Sequence, residues 1–449
     1  MGEFRCGAAK RCITPPENML TVLRGLKHYP FAGVMDDIYV RIALFETDEE
    51  RILLVDYDLN TAPCDEELLD LLSRQTGTPI DGIFLFATHT HSVPVHSLSL
   101  ERVEELDNET IRETEKFTRY LKEQTLQAAR EALLKMEPAR IGFAEGESSV
   151  NIVRLQDYLY RDKQGEDFVV CNLGADPMRT PDRRLCVLRV DNLNGDPILL
   201  HINYPMHCVA SIWNDFDGNG AMGISGDIAG GIERQLENDY KGAIAMWSSA
   251  AAGDLNPIYL NEMISPEPVT GRTIEWKPIG KGFAQNCLKL MVERHYGDIC
   301  RVMRQIHYDD NDIQLNAVSD WSITPGVECI RQHNAAPVFL EGEEIPEHTV
   351  YLQLARIGKL YLMGVGAELY SSLGKAMMDK IPGRGVLITH SGSTLGKCHY
   401  ILDDETIDRC DASRGYAMVP GYDEYRCRRG IMLKDLCFHV EQMLRRLDD

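Results

Sequence analysis

DGIFLFATHTHS, residues 81–92, is the stretch that decides how this chain reads. Ile83 to Ala87 is an unbroken apolar run of strand length, and such runs suit strands covered on both faces, as in mixed or parallel sheets. The character changes at Thr88. Residues two apart on a strand face the same way, so His89 and His91 present two imidazoles side by side at the strand's carboxyl end. Sites in α/β sheets lie at those carboxyl ends, and imidazole suits Zn2+ well. The pair is therefore either a ligand with a second ligand or catalytic neighbour, or two hydrogen-bonded histidines closing a strand.

Strand-length and helical patterns alternate on either side. IYVRIALFE (38–46) and RILLVDYDL (51–59) read as a hairpin, and CDEELLDLLSRQTG (64–77) as a short helix with an acidic first turn. Residues 109–136 have the spacing of a long amphipathic helix. CVLRV (186–190) and PILLHINYP (197–205) form a second hairpin, SGDIAGGIERQLEND (225–239) a helix, and GAIAMWSS (242–249) a strand running into AAAGDLNP. Residues 350–382 read as hairpin then helix, GVLITHSGS as a strand, and KDLCFHVEQMLRRL as a closing helix. The region of about 305–350 is acidic and irregular, an expected insertion or subdomain. The pattern predicts an α/β fold: one catalytic domain over 1–449, layered, with a mixed β-sheet flanked by helices.

Composition narrows the function. The chain has 449 residues, 44% of them apolar, and 47 Lys+Arg against 69 Asp+Glu give a net charge of −22. This is a globular composition, and the negative balance argues against a nucleic-acid partner. No apolar run is long enough to span a membrane. The 13 cysteines are odd in number and lack a CxxC pair, which with no apolar leader points to reduced thiols and a cytoplasmic location.

Further candidates lie beyond other apolar runs. His207 follows one in NYPMHC (203–208), and Glu368 in GVGAE (364–368) sits where a strand becomes a helix. Each also has an ordinary reading, as a core histidine and a helix-start carboxylate. Asp254 and Asn256, in the small-residue loop 250–257, either orient a ligand or form an Asx-turn. Asp227 is a helix cap or a site carboxylate. Nucleotide-binding glycine patterns and a GxSxG serine elbow are missing.

In order along the chain, these segments resemble the catalytic domain of the neutral/alkaline, non-lysosomal ceramidase family. ITPP (13–16), DDIYVRIAL (36–44) and VDYDL (55–59) are similar to its opening. THTHS (88–92) matches its histidine motif with Val93 in place of a Gly. NYPMHC, SGD (225–227), AAAGDLNP and GAELYSSLG (366–374) match further segments, and the resemblance spans roughly residues 5–430. It implies a zinc amidohydrolase cleaving an N-acyl amide, with zinc ligands His89, His207, Glu368 and Tyr400, and with His91 as a non-ligand partner. Tyr422 resembles a second site tyrosine. Arg154 is the nearest counterpart of a substrate-facing arginine, although Ile152 and Val153 separate it from Asn151. Asn256 stands where the family has a serine.

The resemblance thus implies a metal-activated water attacking a carbonyl, with the metal and His91 or Arg154 stabilising the oxyanion, His91 as the acid and Asn256 a hydrogen-bonding group. The substrate is expected to be a small or lipid-like amide. Alternatives are a zinc hydrolase of esters or phosphoesters, and a silent metal-binding homologue. Oligomeric state is left open.

Overall fold

The computed structural model describes residues 3–48, 50–96, 106–161, 164–266, 274–309, 313–328, 347–390, 392, 395, 400–413, 419, 425–427 and 430–448. Two mixed sheets pack face to face, with helices on both outer surfaces. The sequence patterns predicted one mixed sheet. The larger sheet runs, by residue range, 244–249, 197–204, 184–192, 137–147, 5–12, 39–46, 51–57, 83–87, with 307–308 beside 137–147. The second runs 384–389, 360–365, 347–357, 315–328, 425–427. Residues 315–328 fall in the region of about 305–350 read from sequence as irregular, and most of 347–357 in the expected hairpin; the two strands pair antiparallel in continuous register from Leu315↔Ile357 to Pro325↔Glu347. The first of them gives no apolar alternation because it buries Ser322 and Thr324 while exposing Trp321 and Ile323.

Side-chain alternation sorts the core into layers. Phe84, Phe86, Ala43, Phe45 and Ile52 of the larger sheet share an inter-sheet core with Ala355, Ile357, Leu362, Val386 and Ile388 of the second. The opposite parity, Val40, Ile42, Leu53, Val55 and Leu85, packs under the helices Glu66–Thr76 and Asn108–Leu134. Trp247 and Ile202 lie under Asp227–Asp239 and Lys281–Met303. Leu352, Met363 and Leu387 lie under Ser371–Met378 and Ile431–Asp448. Helix ends follow local chemistry. Asp65 accepts from the Leu68 N–H at the start of the first helix, and Gly77 closes it with φ 69°, a left-handed conformation that favours glycine. The long helix ends at Leu134, two residues short of the 136 expected from its spacing, because Glu137 already belongs to a strand.

Three joints are parallel: 51–57 with 83–87, 197–204 with 244–249, and 360–365 with 384–389. A parallel pair needs a crossover, and here each crossover is a helix: 66–76, 227–239 or 371–378. The strand ends of these units meet across the sheet interface. Asn203 donates to the Leu387 carbonyl at 2.7 Å, Thr389 donates to the Ser249 and Ala250 carbonyls at 3.0 Å, and Gly392 N–H donates to Leu85 at 2.9 Å.

A buried ionic cluster ties the first strands to the helix 227–239. Arg41, with its side chain fully buried, contacts Asp58 at 2.9 Å and Glu233 at 2.8 Å, both equally buried. Burial pushes the Asp56 and Glu233 carboxyls up, and Arg41 opposes it. Removing one partner from such a cluster strands the others. Arg41→Leu is expected to cost about 3–5 kcal/mol, read as a lowered urea midpoint. Arg74→Ala, which breaks an exposed pair with Asp70, is expected to cost no more than about 0.5 kcal/mol.

Candidate metal centre

Each site segment leaves the carboxyl end of a strand in one of the three parallel units. The strand Ile83–Ala87 delivers His89 and His91, Pro197–Tyr204 delivers His207, Ile244–Ser249 runs into the loop 250–257, and Leu360–Val365 delivers Glu368. An isolated bridge between Thr90 and Cys208 fixes the two histidine segments to each other. Asp227, read from sequence as cap or site group, belongs to this scaffold. Its buried carboxylate accepts from Ile228 N–H of its own helix and from Ala210 and Ser211 N–H beyond His207.

The imidazoles are pinned by backbone carbonyls. His89 Nδ1 lies 2.9 Å from the Asn60 carbonyl, and His207 Nδ1 lies 3.0 Å from the Leu255 carbonyl. A carbonyl only accepts, so both Nδ1 atoms carry the proton and both Nε2 atoms present lone pairs. Both Nε2 atoms point at Glu368, each 3.2 Å from Oε2. The Tyr400 hydroxyl is 3.4 Å from His207 Nε2, and His91 Nε2 is 3.3 Å from His89 Nε2.

Lone pairs facing a carboxylate at this range need positive charge among them. Protonating His207 is disfavoured: burial first, then Arg154, pushes its pKa down to about 3. Burial raises the Glu368 carboxyl, and it is held well below the ordinary carboxylate range only where the imidazoles of His89, His207 and His390 count as positive; with bare nitrogens facing it, that charge has to come from a cation. Ligands 2.0–2.1 Å from a tetrahedral Zn2+ are about 3.3–3.4 Å apart, which is the spacing of these donors. The cluster His89, His91, His207 and the cluster His89, Glu368, His390 each keep their donor atoms within 4.8 Å. The donor set fits a divalent cation.

Around the donors, Arg154 is locked rather than free. Its Nε and Nη2 donate to the Gly253 carbonyl at 3.0 and 2.6 Å, and Nη2 also donates to the Tyr400 hydroxyl at 3.2 Å. Gly253 can bring its backbone this close because it has no side chain: a Cβ there would lie 2.6 Å from the Tyr370 ring. Asn256 follows Leu255 on the short strand Leu255–Pro257, and its buried Oδ1 has no hydrogen-bond partner. His91 is expected from sequence to titrate near its ordinary value. Instead burial, then the neighbouring His89 and His207, drives it well below 6.5, so the resting group is a neutral imidazole.

The structure brings His89, His91, His207, Glu368, Tyr400 and Arg154 together. Asp254 has other work: its carboxylate accepts from the Ser371 N–H and hydroxyl, both at 2.7 Å, at the start of the helix that follows Glu368. The structure thus places it as a tertiary cap beside the site, braced against Ser371. Tyr422 lies outside the described residues. Sequence reasoning passed over His390, whose signal is the one that marked His89 and His207, a histidine directly after an apolar run.

No protein-family model and no curated protein sequence matches this chain. Solved structures do. The mixed α/β fold, with its sheets flanked by helices, is similar to that of neutral ceramidase. The crystal structure of neutral ceramidase from Pseudomonas aeruginosa aligns over 99% of this chain and 75% of its own, with TM-score 0.67 and 15% identity. A structure described as ceramidase complexed with C2 aligns over 99% and 74%, with TM-score 0.66 and 15% identity. The chain thus has a neutral ceramidase-like fold.

The cap gives a test. Asp254→Ala leaves the Ser371 N–H without its acceptor and is expected to cost about 2 kcal/mol, seen as a lower thermal midpoint, while Asp254→Asn keeps one acceptor and recovers part of the loss.

Proposed function

We infer that this protein is a zinc-dependent amide hydrolase of the ceramidase type, acting on a small or lipid-like N-acyl amine. The observation that carries the reading is the pair of proton-pinned imidazoles, His89 and His207, aiming bare nitrogens at one oxygen of Glu368 at 3.2 Å. His89, His207, Glu368 and Tyr400 would hold the ion. Such an ion supplies Lewis acidity for the carbonyl and lowers the pKa of water towards about 7. The ceramidase-like fold supports the amide as the bond broken.

This chain's own groups supply the rest. His91, a neutral imidazole beside the donors, takes the proton of the attacking water and hands it to the leaving amine. Arg154, anchored on Gly253, keeps the Tyr400 hydroxyl in place and adds positive charge near the developing oxyanion, where one well-placed donor contributes about 3–4 kcal/mol. Asn256 has no ionisable oxygen and so is no nucleophile; its unpartnered Oδ1 accepts a hydrogen bond from the substrate. The ten cysteines whose side chains are described are free thiols, which favours a reducing, cytoplasmic setting. No described helix is long and apolar enough to cross a membrane.

His89→Ala is expected to lose stoichiometric zinc, by elemental analysis, together with hydrolysis of an N-acyl amine. Chelator-treated protein should lose turnover and regain it on adding zinc. Retained zinc in the variant removes His89 from the ligand set. Turnover of phosphoesters alone in a panel of N-acyl amines, esters and phosphoesters overturns the amidase reading, and metal-independent or absent turnover of all three favours the silent homologue.

A further inference from the structure

His390 extends the site. It follows the strand Arg384–Thr389, which runs parallel to the strand that delivers Glu368. It is 4% exposed. Its ring stacks on His89 with centroids 4.1 Å apart and planes inclined by 19°. The donor atoms of His89, Glu368 and His390 all lie within 4.8 Å of one another. Two donors on opposite sides of one cation are about 4.2 Å apart at bond lengths of about 2.1 Å, so His390 is at ligand range or within a small side-chain shift of it. Both stacked histidines have left-handed backbones, φ 61° at His89 and φ 62° at His390. Outside glycine this conformation is uncommon and costs about 1 kcal/mol or more, and the two positions stack their rings on each other.

We propose that His390 is a further nitrogen donor to the cation held by His89, His207, Glu368 and Tyr400. The proposal rests on the reading of this cluster as a metal centre. Five protein donors exceed the four of a tetrahedral zinc site, and with a water they complete the shell favoured by ions that accept five or six ligands. The consequence is a centre that discriminates less sharply for zinc than a four-donor site and binds Co2+, Ni2+ or Mn2+ in an expanded shell.

Loading metal-free protein with Co2+ tests this without turnover, because the visible bands of Co2+ are intense in a tetrahedral shell and weak in a five- or six-coordinate one. Wild-type protein should give the weak bands, and X-ray absorption should count six nitrogen and oxygen neighbours, five from the protein and one from water. A count of five or fewer is what the four donors and a water give without His390 and overturns the proposal. In His390→Asn the bands should intensify, one neighbour should be lost, and Co2+ should bind at least about tenfold more weakly. The same variant separates His390 from His91, which stays in place. Intense tetrahedral bands in wild type, or identical spectra and affinity in wild type and variant, overturn the proposal while leaving the metal centre standing. A wild type that binds no Co2+ and no Zn2+ overturns both. Should His390→Asn fail to fold, the neighbour count of wild type alone decides.

Discussion

Two peptide carbonyls govern what this site can do. The oxygens of Asn60 and Leu255 take the Nδ1 protons of His89 and His207, and by doing so they strip the opposite edge of each ring of hydrogen. Rings without that anchor would turn, or protonate the other nitrogen and satisfy Glu368 by an ordinary hydrogen bond. With it, three electron-rich groups face one another, an arrangement that fits a divalent cation. The chemistry of the centre is therefore set in the backbone of two loops as much as in the identity of the donors.

The fold exists to hold those loops still. Each parallel unit ends its strands in the same region, and the hydrogen bonds of Asn203, Thr389 and Gly392 cross from one sheet to the other there. The donors come from segments nearly the whole chain apart, so their alignment depends on the sheet-on-sheet core rather than on any local motif. Arg154 repeats the principle at smaller scale. Its two bonds to Gly253 fix a guanidinium that in turn fixes Tyr400. Asp254, bonded to Ser371, braces the helix entered from Glu368. Burying Arg154, Asp227 and Asp254 is tolerable because each makes more than one hydrogen bond.

Much of this was legible in the sequence, for reasons that can be named. Strands covered on both faces are written as unbroken apolar runs, and the histidines at 89 and 207 stand out because polar residues interrupt such runs abruptly. The layered α/β class and most element positions follow from the same contrast. The second sheet was not legible, because nothing in a linear pattern says whether a strand meets a helix or another sheet. His390 was missed for a related reason: its apolar run, GVLIT, was read as a strand and the residue after it was not weighed against the earlier histidines. The partner of Asp254 was not legible either, because a carboxylate in a small-residue loop looks the same whether it faces a ligand or caps a helix more than a hundred positions away.

Gly253 and Tyr370 occupy one volume. The bare Cα of residue 253 lets its carbonyl meet Arg154, and the ring of residue 370 fills the space a side chain would have taken. A side chain at 253 would collide with that ring and also crowd the Glu368 carbonyl, 3.1 Å away, so a smaller residue at 370 would relieve only part of the clash and the anchor of the arginine depends on glycine at 253 itself.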